Sequence, residues 1–281
     1  MKCSDIMKQL EKLAPQELAC EWDNVGLLLG RTDKNISKIL IALELSEEVV
    51  DQAISSQADM IITHHPLIFK PLKRINSEDF IGRWILKLLR SDISYYAMHT
   101  NFDRSAQGMG VLAAEKLGLC GQRMLDETTS YRDGDGNEQT AGIGCFGNLP
   151  KAVTLEELCQ RISKTFENEG IRVYAPADAK ERMISEIAVV PGSGGDYVKV
   201  AAECGADVLI TGDVSHHEGS DAVSQGMIVI DVGHYSLEYP FVEYMERYLT
   251  ERVSAGIEIE TVSYRSPYYQ TGGMNDNNLL S

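Results

Sequence analysis

The sequence lacks the features that would mark a membrane protein, an exported protein or a thiolate metal site. Its 281 residues contain no apolar run near the roughly 18 residues of a membrane-spanning helix. The six cysteines are scattered and form no C-x-x-C pair, which argues against a disulfide framework or a structural zinc site. The N-terminus shows no continuous apolar signal segment. We therefore expect a cytoplasmic protein with reduced thiols and no membrane association.

Basic residues are also few, since 26 Lys and Arg stand against 42 Asp and Glu, for a net charge of −16. No basic cluster is long enough to form the positive stripe through which nucleic-acid binders displace counterions. The composition argues against a nucleic-acid partner, and the acidic balance suits a protein that concentrates cations. With 43% apolar and 24% charged residues, the chain has an ordinary globular composition and length for one large or two ordinary domains.

Strand-like and helix-like segments alternate along most of the chain, which predicts a layered α/β fold. Residues 36–45 and 60–63 read as strands, and residues 78–90 as an amphipathic helix. Residues 122–139 are polar and rich in turn residues, which predicts a hairpin or a connection between lobes. A second alternation follows, with strands predicted at 140–147, 184–190, 207–211, 227–232 and 257–262 and a helix at 235–248.

All six histidines lie in polar motifs beside predicted strands. They are His64 and His65 in ITHHPLIF, His99 in AMHTNFD, His216 and His217 in TGDVSHHEG, and His234 in DVGHYSLE. Open α/β sheets place their ligand sites at the carboxyl ends of strands. A lone histidine is more often a hydrogen-bonded core residue than a ligand, but a motif repeated at several strand ends favours a metal site.

The spacing of these residues indicates which of them can share an ion. Adjacent residues of an extended chain point to opposite sides, so His64 and His65 can reach two neighbouring ions more easily than one. His234 and Glu238 are four residues apart, which places both on one side of a helix that begins near His234. Nitrogen and carboxylate ligands without cysteine suit Zn, Mn, Fe or Co. We predict a two-metal site made by His64, His65, Asp103, His234 and Glu238.

The remaining histidines are candidates for other roles. Imidazole titrates near neutral pH, so His99 and His216 are candidate catalytic proton carriers, and His217 is a candidate substrate contact. Direct ligation of a metal ion, or orientation of a ligand through a hydrogen bond, stays open for all three.

Two further segments carry candidate functional residues. VVPGSGGDYV predicts a strand, a glycine turn and a helix whose N-terminus suits an anion. It lacks the spacing of a P-loop or dinucleotide motif, which favours a plain turn, and its candidate substrate contacts are Gly192, Ser193 and Gly194. In EWDNVGLLLG, Asp23 is a candidate catalytic residue, but the flanking Trp22 and leucines favour core packing and a turn.

The motifs EWDNVGLLLG, ITHHPLIF, HTNFD and GDVSHH…VIDVGHYSLE, which follow one another along nearly the whole chain, resemble the GTP cyclohydrolase 1 type 2 homolog (NIF-three-like) family. The resemblance implies two α/β lobes with mixed sheets flanked by helices and a dinuclear metal site in the cleft between them. The first lobe would be residues 1–125, rejoined by about 235–281, and the second residues 126–234. It also implies a homohexameric toroid.

By motif position, the resemblance implies that His64 and Asp103 bind one ion and that His65 and His234 bind the other, with Glu238 bridging both. The chain departs from the family pattern at two places. Glu44 stands where members often have Asp, and RSPYYQTGG (265–273) replaces an Asn-Pro-Phe-like ending.

The predicted function is that of a metal-dependent hydrolase acting on a nucleotide, a phosphoester or a cyclic amide. Two divalent ions with open positions can supply a hydroxide nucleophile. One alternative is the ring opening of GTP that the family label names, although the sequence shows no base-reading motif. Another is a non-enzymatic hexameric scaffold, metal sensor or metal insertase.

Overall fold

The computed structural model describes residues 1–168, 170–253 and 256–263. Residues 265–273, where the sequence differs from the family's usual ending, and the remaining C-terminal residues lie outside this described part. The described residues form two compact units: residues 1–107, 130–141 and 241–263 make the first, and residues 108–129 and 142–240 make the second. The lobe limits inferred from the resemblance, at 125/126 and 234/235, stay a prediction.

Helices and strands alternate along most of the described chain. The α-helices are α1 (Cys3–Leu13), α2 (Glu47–Ser55), α3 (Phe80–Arg90), α4 (Thr100–Asp103), α5 (Met109–Lys116), α6 (Leu155–Thr165), α7 (Val198–Glu203), α8 (His216–Ser224), α9 (His234–Glu238) and α10 (Pro240–Arg252). The strands are β1 (Gly26–Leu29), β2 (Lys38–Ala42), β3 (Met60–Thr63), β4 (Ser94–Ala97), β5 (Cys120–Arg132), β6 (Glu138–Thr154), β7 (Arg172–Tyr174), β8 (Met183–Ser193), β9 (Val208–Gly212), β10 (Ile228–Asp231) and β11 (Glu258–Thr261). Short 3-10 helices lie at Gln16–Leu18, Ala179–Glu181 and Gly195–Tyr197.

The sheet of the first unit has the strand order β1-β4-β3-β2-β11, and only β1 runs antiparallel to its neighbour. Strands β3 and β4 are buried along their whole length, as is typical of parallel strands covered on both faces. Thr63 of β3 is paired with Ala97 of β4, so both strands end at the same edge of the sheet. The polar residues that follow each strand are therefore brought to one place.

The sheet of the second unit has the order β5-β6-β8-β9-β10-β7. Strands β8, β9 and β10 are parallel, whereas β6 and β7 are antiparallel to their neighbours. Both sheets are thus mixed and accompanied by helices, which confirms the predicted α/β class. Ser215 caps α8 by accepting a hydrogen bond from the amide of Glu218, and Thr154 caps α6 in the same way.

Two predicted elements have different limits in the structure. The helix expected at 235–248 is two helices, α9 and α10, because Pro240 has no amide hydrogen to continue the first and begins the second. Residues 122–139 form a hairpin, whose strands extend further than predicted. Its turn is held by Asp133, whose carboxylate accepts from the amides of Asp135 and Asn137.

None of the helices in the three described stretches of chain has both the length and the apolar character needed to cross a membrane.

Candidate metal centre

His64 and His65 directly follow β3 in a turn that buried groups hold in place. The amides of both residues donate to the carbonyl of Leu43, at 3.1 and 3.0 Å. The fully buried Tyr95 donates its hydroxyl to the carbonyl of His65 and accepts from the amide of Leu67, both at 2.9 Å. Burial raises the pKa of Tyr95, so its hydroxyl stays protonated and can donate. The turn is therefore fixed by long-range contacts.

His99 lies beyond β4 and is oriented by Asp23. The Asp23 side chain is fully buried, and its Oδ1 lies 2.9 Å from Nδ1 of His99. Its Oδ2 accepts from the amide and the hydroxyl of Thr100, at 3.0 and 2.6 Å. Burial alone would raise the pKa of Asp23, but the hydrogen bonds from His99 and Thr100 outweigh it and lower the pKa to about 2. Asp23 is therefore a permanent carboxylate acceptor.

The ring nitrogens of these three histidines converge. One nitrogen from each of His64, His65 and His99 lies within 4.8 Å of the others, a spacing that an ion can bridge. Asp103, at the end of α4, places Oδ1 at 3.6 Å from Nε2 of His64. His64 is fully buried, whereas His65 and Asp103 keep part of their side chains exposed. Three imidazoles and a carboxylate of the first unit thus form one cluster.

In the second unit, His234 and Glu238 share one turn of α9. Nε2 of His234 lies 3.0 Å from Oε2 of Glu238, and Glu238 is nearly fully buried. The helix begins at His234, as the spacing predicted. Gly192 makes room for this pair: it has φ +76, and a Cβ there would lie 2.9 Å from Oε1 of Glu238. A larger residue at position 192 would press on the carboxylate.

Asp213 and Asp231 position the chain around His234. Oδ2 of Asp213 lies 2.8 Å from Nδ1 of His234 and accepts from the hydroxyl of Ser193 at 3.3 Å. Asp231 is buried and accepts from the amides of Val214 and Gly233. It thereby fixes the two loops that carry Asp213 and His234.

Four histidines share one arrangement: an oxygen acceptor lies beside Nδ1. The acceptors are the Met98 carbonyl for His64 (2.7 Å), Glu44 Oε2 for His65 (3.3 Å), Asp23 Oδ1 for His99 (2.9 Å) and Asp213 Oδ2 for His234 (2.8 Å). An acceptor at Nδ1 selects the tautomer whose proton is on Nδ1 and whose Nε2 carries the lone pair. That is how histidine ligands of metals are held. The donor set therefore fits divalent ions that accept nitrogen and oxygen.

Of the other candidate residues, Ser193 donates to Asp213 as described above, whereas Gly194, His216 and His217 make different contacts. Buried Gly194 donates its amide to the hydroxyl of Thr211, and Ser193 is exposed. His216 and His217 are exposed at the start of α8, and their rings contact each other with centroids 5.6 Å apart. The roles predicted for these residues in catalysis and substrate binding stay predictions.

The interpretation of EWDNVGLLLG as core packing is wrong for Trp22, whereas the turn and the burial of the Asp23 side chain agree with it. Trp22 is 60% exposed, and Asp23 is the buried partner of His99. Sequence reasoning also did not assign Asp213, although it lies in the quoted motif TGDVSHHEG. For both Asp23 and Asp213, the available signal is an acidic residue within a motif that also contains glycine and tryptophan or histidine. The spacing along the chain does not show which histidine each of these aspartates contacts.

Comparisons with known proteins agree with the motif resemblance. A model of the family described as Duf34/NIF3 (NGG1p interacting factor 3) matches residues 1–267. A Clostridium perfringens protein named GTP cyclohydrolase 1 type 2 homolog is 36% identical over 258 residues, covering 92% of this chain and 95% of its own.

Solved structures of related proteins show the same fold. A Bacillus cereus protein related to NIF3 is 26% identical with a TM-score of 0.88, and 96% of this chain and 99% of that one are covered. A Staphylococcus aureus protein is 30% identical with a TM-score of 0.86 over the same shares. The predicted family resemblance and fold class are confirmed.

Proposed function

The chain belongs to the Duf34/NIF3 family, and from that membership and the donor geometry we propose that it is a hydrolase dependent on two divalent metal ions. His64 and Asp103 would hold one ion and His65 and His234 the other, with Glu238 as a ligand shared by both. Zn, Mn, Fe and Co are the metals that suit this mixture of imidazole and carboxylate ligands. The substrate is a nucleotide, a phosphoester or a cyclic amide.

The observation that carries this proposal is the oxygen acceptor at Nδ1 of each of the three proposed histidine ligands, His64, His65 and His234. A core histidine can have its acceptor at either ring nitrogen, and nothing requires several core histidines to use the same one. Coordination through Nε2 does require it, because Nδ1 must then carry the proton. An acceptor at Nδ1 therefore leaves the lone pair of each Nε2 available for a metal ion.

The residues of the chain supply proton transfer and positioning. Bound divalent ions would lower the pKa of a coordinated water toward ~7 and polarise the bond to be cleaved. His99, held by Asp23, accepts a proton at Nε2 and keeps the other at Nδ1. His216 is the second proton carrier. Gly192, Ser193, Gly194 and His217 contact the substrate, and Glu44 orients His65.

The active form is a homohexameric toroid in this proposal. Two points support this assembly: the chain belongs to the family, and its motifs resemble those of the members for which a hexamer is expected. Light scattering of the purified full-length chain tests it directly, and a stable monomer at micromolar concentration would contradict it.

The proposal is tested first by elemental analysis of the purified native protein, then by a screen of phosphoesters, nucleotides and cyclic amides with the bound metal. We expect about two ions per chain and turnover that a chelator abolishes. His64→Ala and Glu238→Ala should each abolish turnover, whereas Glu156→Ala, which removes an exposed carboxylate on α6, should not. Metal-loaded protein with no turnover above the chelated sample would contradict hydrolysis.

Two alternatives are separate outcomes of the same screen. Release of formate from GTP would identify the ring-opening reaction that the relatives' name suggests. Metal binding without turnover on any substrate, with assembly retained in His64→Ala, would favour a scaffold, a metal sensor or a metal insertase.

A further inference from the structure

Two aromatic side chains beside the histidine cluster are exposed to solvent. Trp22 is 60% exposed and Phe69 is 45% exposed, although large aromatic residues bury much apolar area and usually pack inward. Their ring centroids lie 5.6 Å apart at an interplanar angle of 52°. Together they form one apolar face, which we call the aromatic pair.

The aromatic pair adjoins His99. The ring of Trp22 lies 6.1 Å from that of His99, and the ring of Phe69 lies 6.2 Å away. Both meet the imidazole at steep angles of 72° and 73°. Because His99 shares its cluster with His64 and His65, a molecule resting on the aromatic pair would lie beside that cluster.

The exposure of the pair does not come from a loosely attached loop. Asp23, next to Trp22, is buried and bonded to His99 and Thr100. Asn24 donates its side-chain amide to the carbonyl of Ile68 at 2.6 Å, which joins the segment carrying Trp22 to the segment carrying Phe69. The two rings are therefore held in place from behind while their outer faces meet solvent.

We infer that the aromatic pair is a recognition face for a flat aromatic ring of the substrate, with a neutral or negative charge. This inference rests on the proposed function and narrows its substrate class. Aromatic faces bind either flat rings by stacking or cations by their quadrupole. Two divalent ions beside the pair would repel a cationic ligand, which leaves the flat ring.

The charge of the segment that carries Phe69 agrees with that choice. Residues 66–77, which follow the histidine turn and contain Phe69, have no acidic residue, although the chain as a whole carries a net charge of −16. Three exposed basic residues, Lys70, Lys73 and Arg74, lie in this stretch. A ligand with an anionic substituent would therefore be attracted to this segment.

The chain offers a direct optical probe, since it contains two tryptophans. Trp84→Phe leaves Trp22 as the sole reporter, and Trp84 lies on α3, where it contacts Phe80 with ring centroids 5.0 Å apart. Two carboxylates of similar size serve as probes of full-length, zinc-loaded protein: benzoate, which has a flat ring, and cyclohexanecarboxylate, which has a puckered one. We expect benzoate to quench Trp22 emission and to bind about threefold to tenfold more tightly.

Variants assign the difference to the aromatic pair. Trp22→Leu and Phe69→Leu keep an apolar side chain but remove the ring, and each should reduce the preference for benzoate, measured by calorimetry, to less than about twofold. Phe80→Leu is the matched control, because Phe80 is similarly exposed, at 51%, and packs on Trp84. It should keep the full preference.

The result separates this inference from the proposed function, because zinc content is measured in every sample. Two zinc ions per chain with equal affinity for both carboxylates would overturn the inference and leave the metal site intact. A chain that binds no zinc would contradict the proposed function, and its preference for benzoate could still be measured. Trp22 emission already typical of a buried indole would show that the rest of the chain or a second copy covers the pair, which also overturns the inference.

Discussion

The first unit holds its histidines at the ends of two buried parallel strands, whereas the second unit holds His234 on the short helix α9. Asp23, the carboxylate behind His99, has no exposed side-chain surface, but Asp213, the carboxylate behind His234, is 56% exposed. Charged hydrogen bonds are strong when they are shielded from water and weak when water competes for them. The same chemical arrangement thus has a rigid form in one unit and a solvated form in the other.

This difference separates two tasks that a support residue can perform. A buried carboxylate such as Asp23 stabilises the fold and orients the imidazole at the same time. An exposed one such as Asp213 orients the imidazole with little effect on the free energy of unfolding. Variants of the two units should therefore differ in stability even where they have similar effects on metal binding.

The largest effect is expected from removal of a ligand in each unit. His64→Ala should lower the affinity for one ion by more than about a hundredfold. Loss of only the hydrogen-bond partner of a metal ligand already lowers the affinity by up to about a hundredfold. His234→Ala should do the same to the other ion. Elemental analysis should then give about one ion per chain in each variant and less than one in Glu238→Ala. If both histidine variants lose the same ion, the assignment of one ion to each pair is wrong.

The support residues provide the next test. Asp23→Asn keeps an oxygen for His99 but loses the acceptor for Thr100, and should lower the free energy of unfolding by about 2–3 kcal/mol. Asp213→Asn should lower it by less than about 1 kcal/mol, because that pair is exposed. Urea unfolding of the metal-free proteins measures both. Equal losses of unfolding free energy in the two variants would show that solvent exposure does not distinguish the contributions of Asp23 and Asp213 to stability.

Tyr95→Phe tests the rigidity of the histidine turn in the first unit. Loss of the hydroxyl leaves the buried amide of Leu67 without its acceptor and should cost about 2 kcal/mol. Hydrogen exchange at Leu67 should become faster and zinc affinity should fall. Tyr131→Phe is the control in the same unit, because its hydroxyl accepts from the amide of Ala106 and not from the histidine turn. Unchanged exchange at Leu67 in Tyr95→Phe would show that the turn holds without this contact.

Gly192→Ala tests the second unit, with an expected loss of stability of about 1 kcal/mol from the left-handed backbone. Gly226→Ala carries nearly the same backbone cost, with φ +80, but a Cβ there has nothing within 4 Å. The two variants should have similar unfolding free energies, and only Gly192→Ala should weaken metal binding, by pressing on Glu238. Equal metal affinities would mean that Glu238 moves aside without loss.

The parts of the site that are local in the chain could be predicted from the sequence. The apolar run of β3 ends where His64 begins, and the spacing of four residues between His234 and Glu238 matches one turn of α9. Both follow from the period of the backbone alone. The family and the α/β class could be predicted too, because motifs and alternation are properties of order along the chain.

The supports could not be predicted, because their partners are distant in sequence. Asp23 lies 76 residues before His99, and nothing in the spacing links them. The exposure of Trp22 was missed for a related reason: a tryptophan among leucines favours burial, whereas the neighbouring Asp23 is the residue whose side chain is buried, through contacts with His99 and Thr100. Tertiary contacts outweighed local preference at both positions.

The hydroxyl of Tyr95 has a consequence for the time course of metal capture. Because it fixes the turn after β3 in the metal-free chain, His64 and His65 need little rearrangement when an ion arrives. The rate of uptake by the first unit should then follow the rate at which each hydrated ion exchanges its water. Different metals would load at different speeds even where their final affinities are alike.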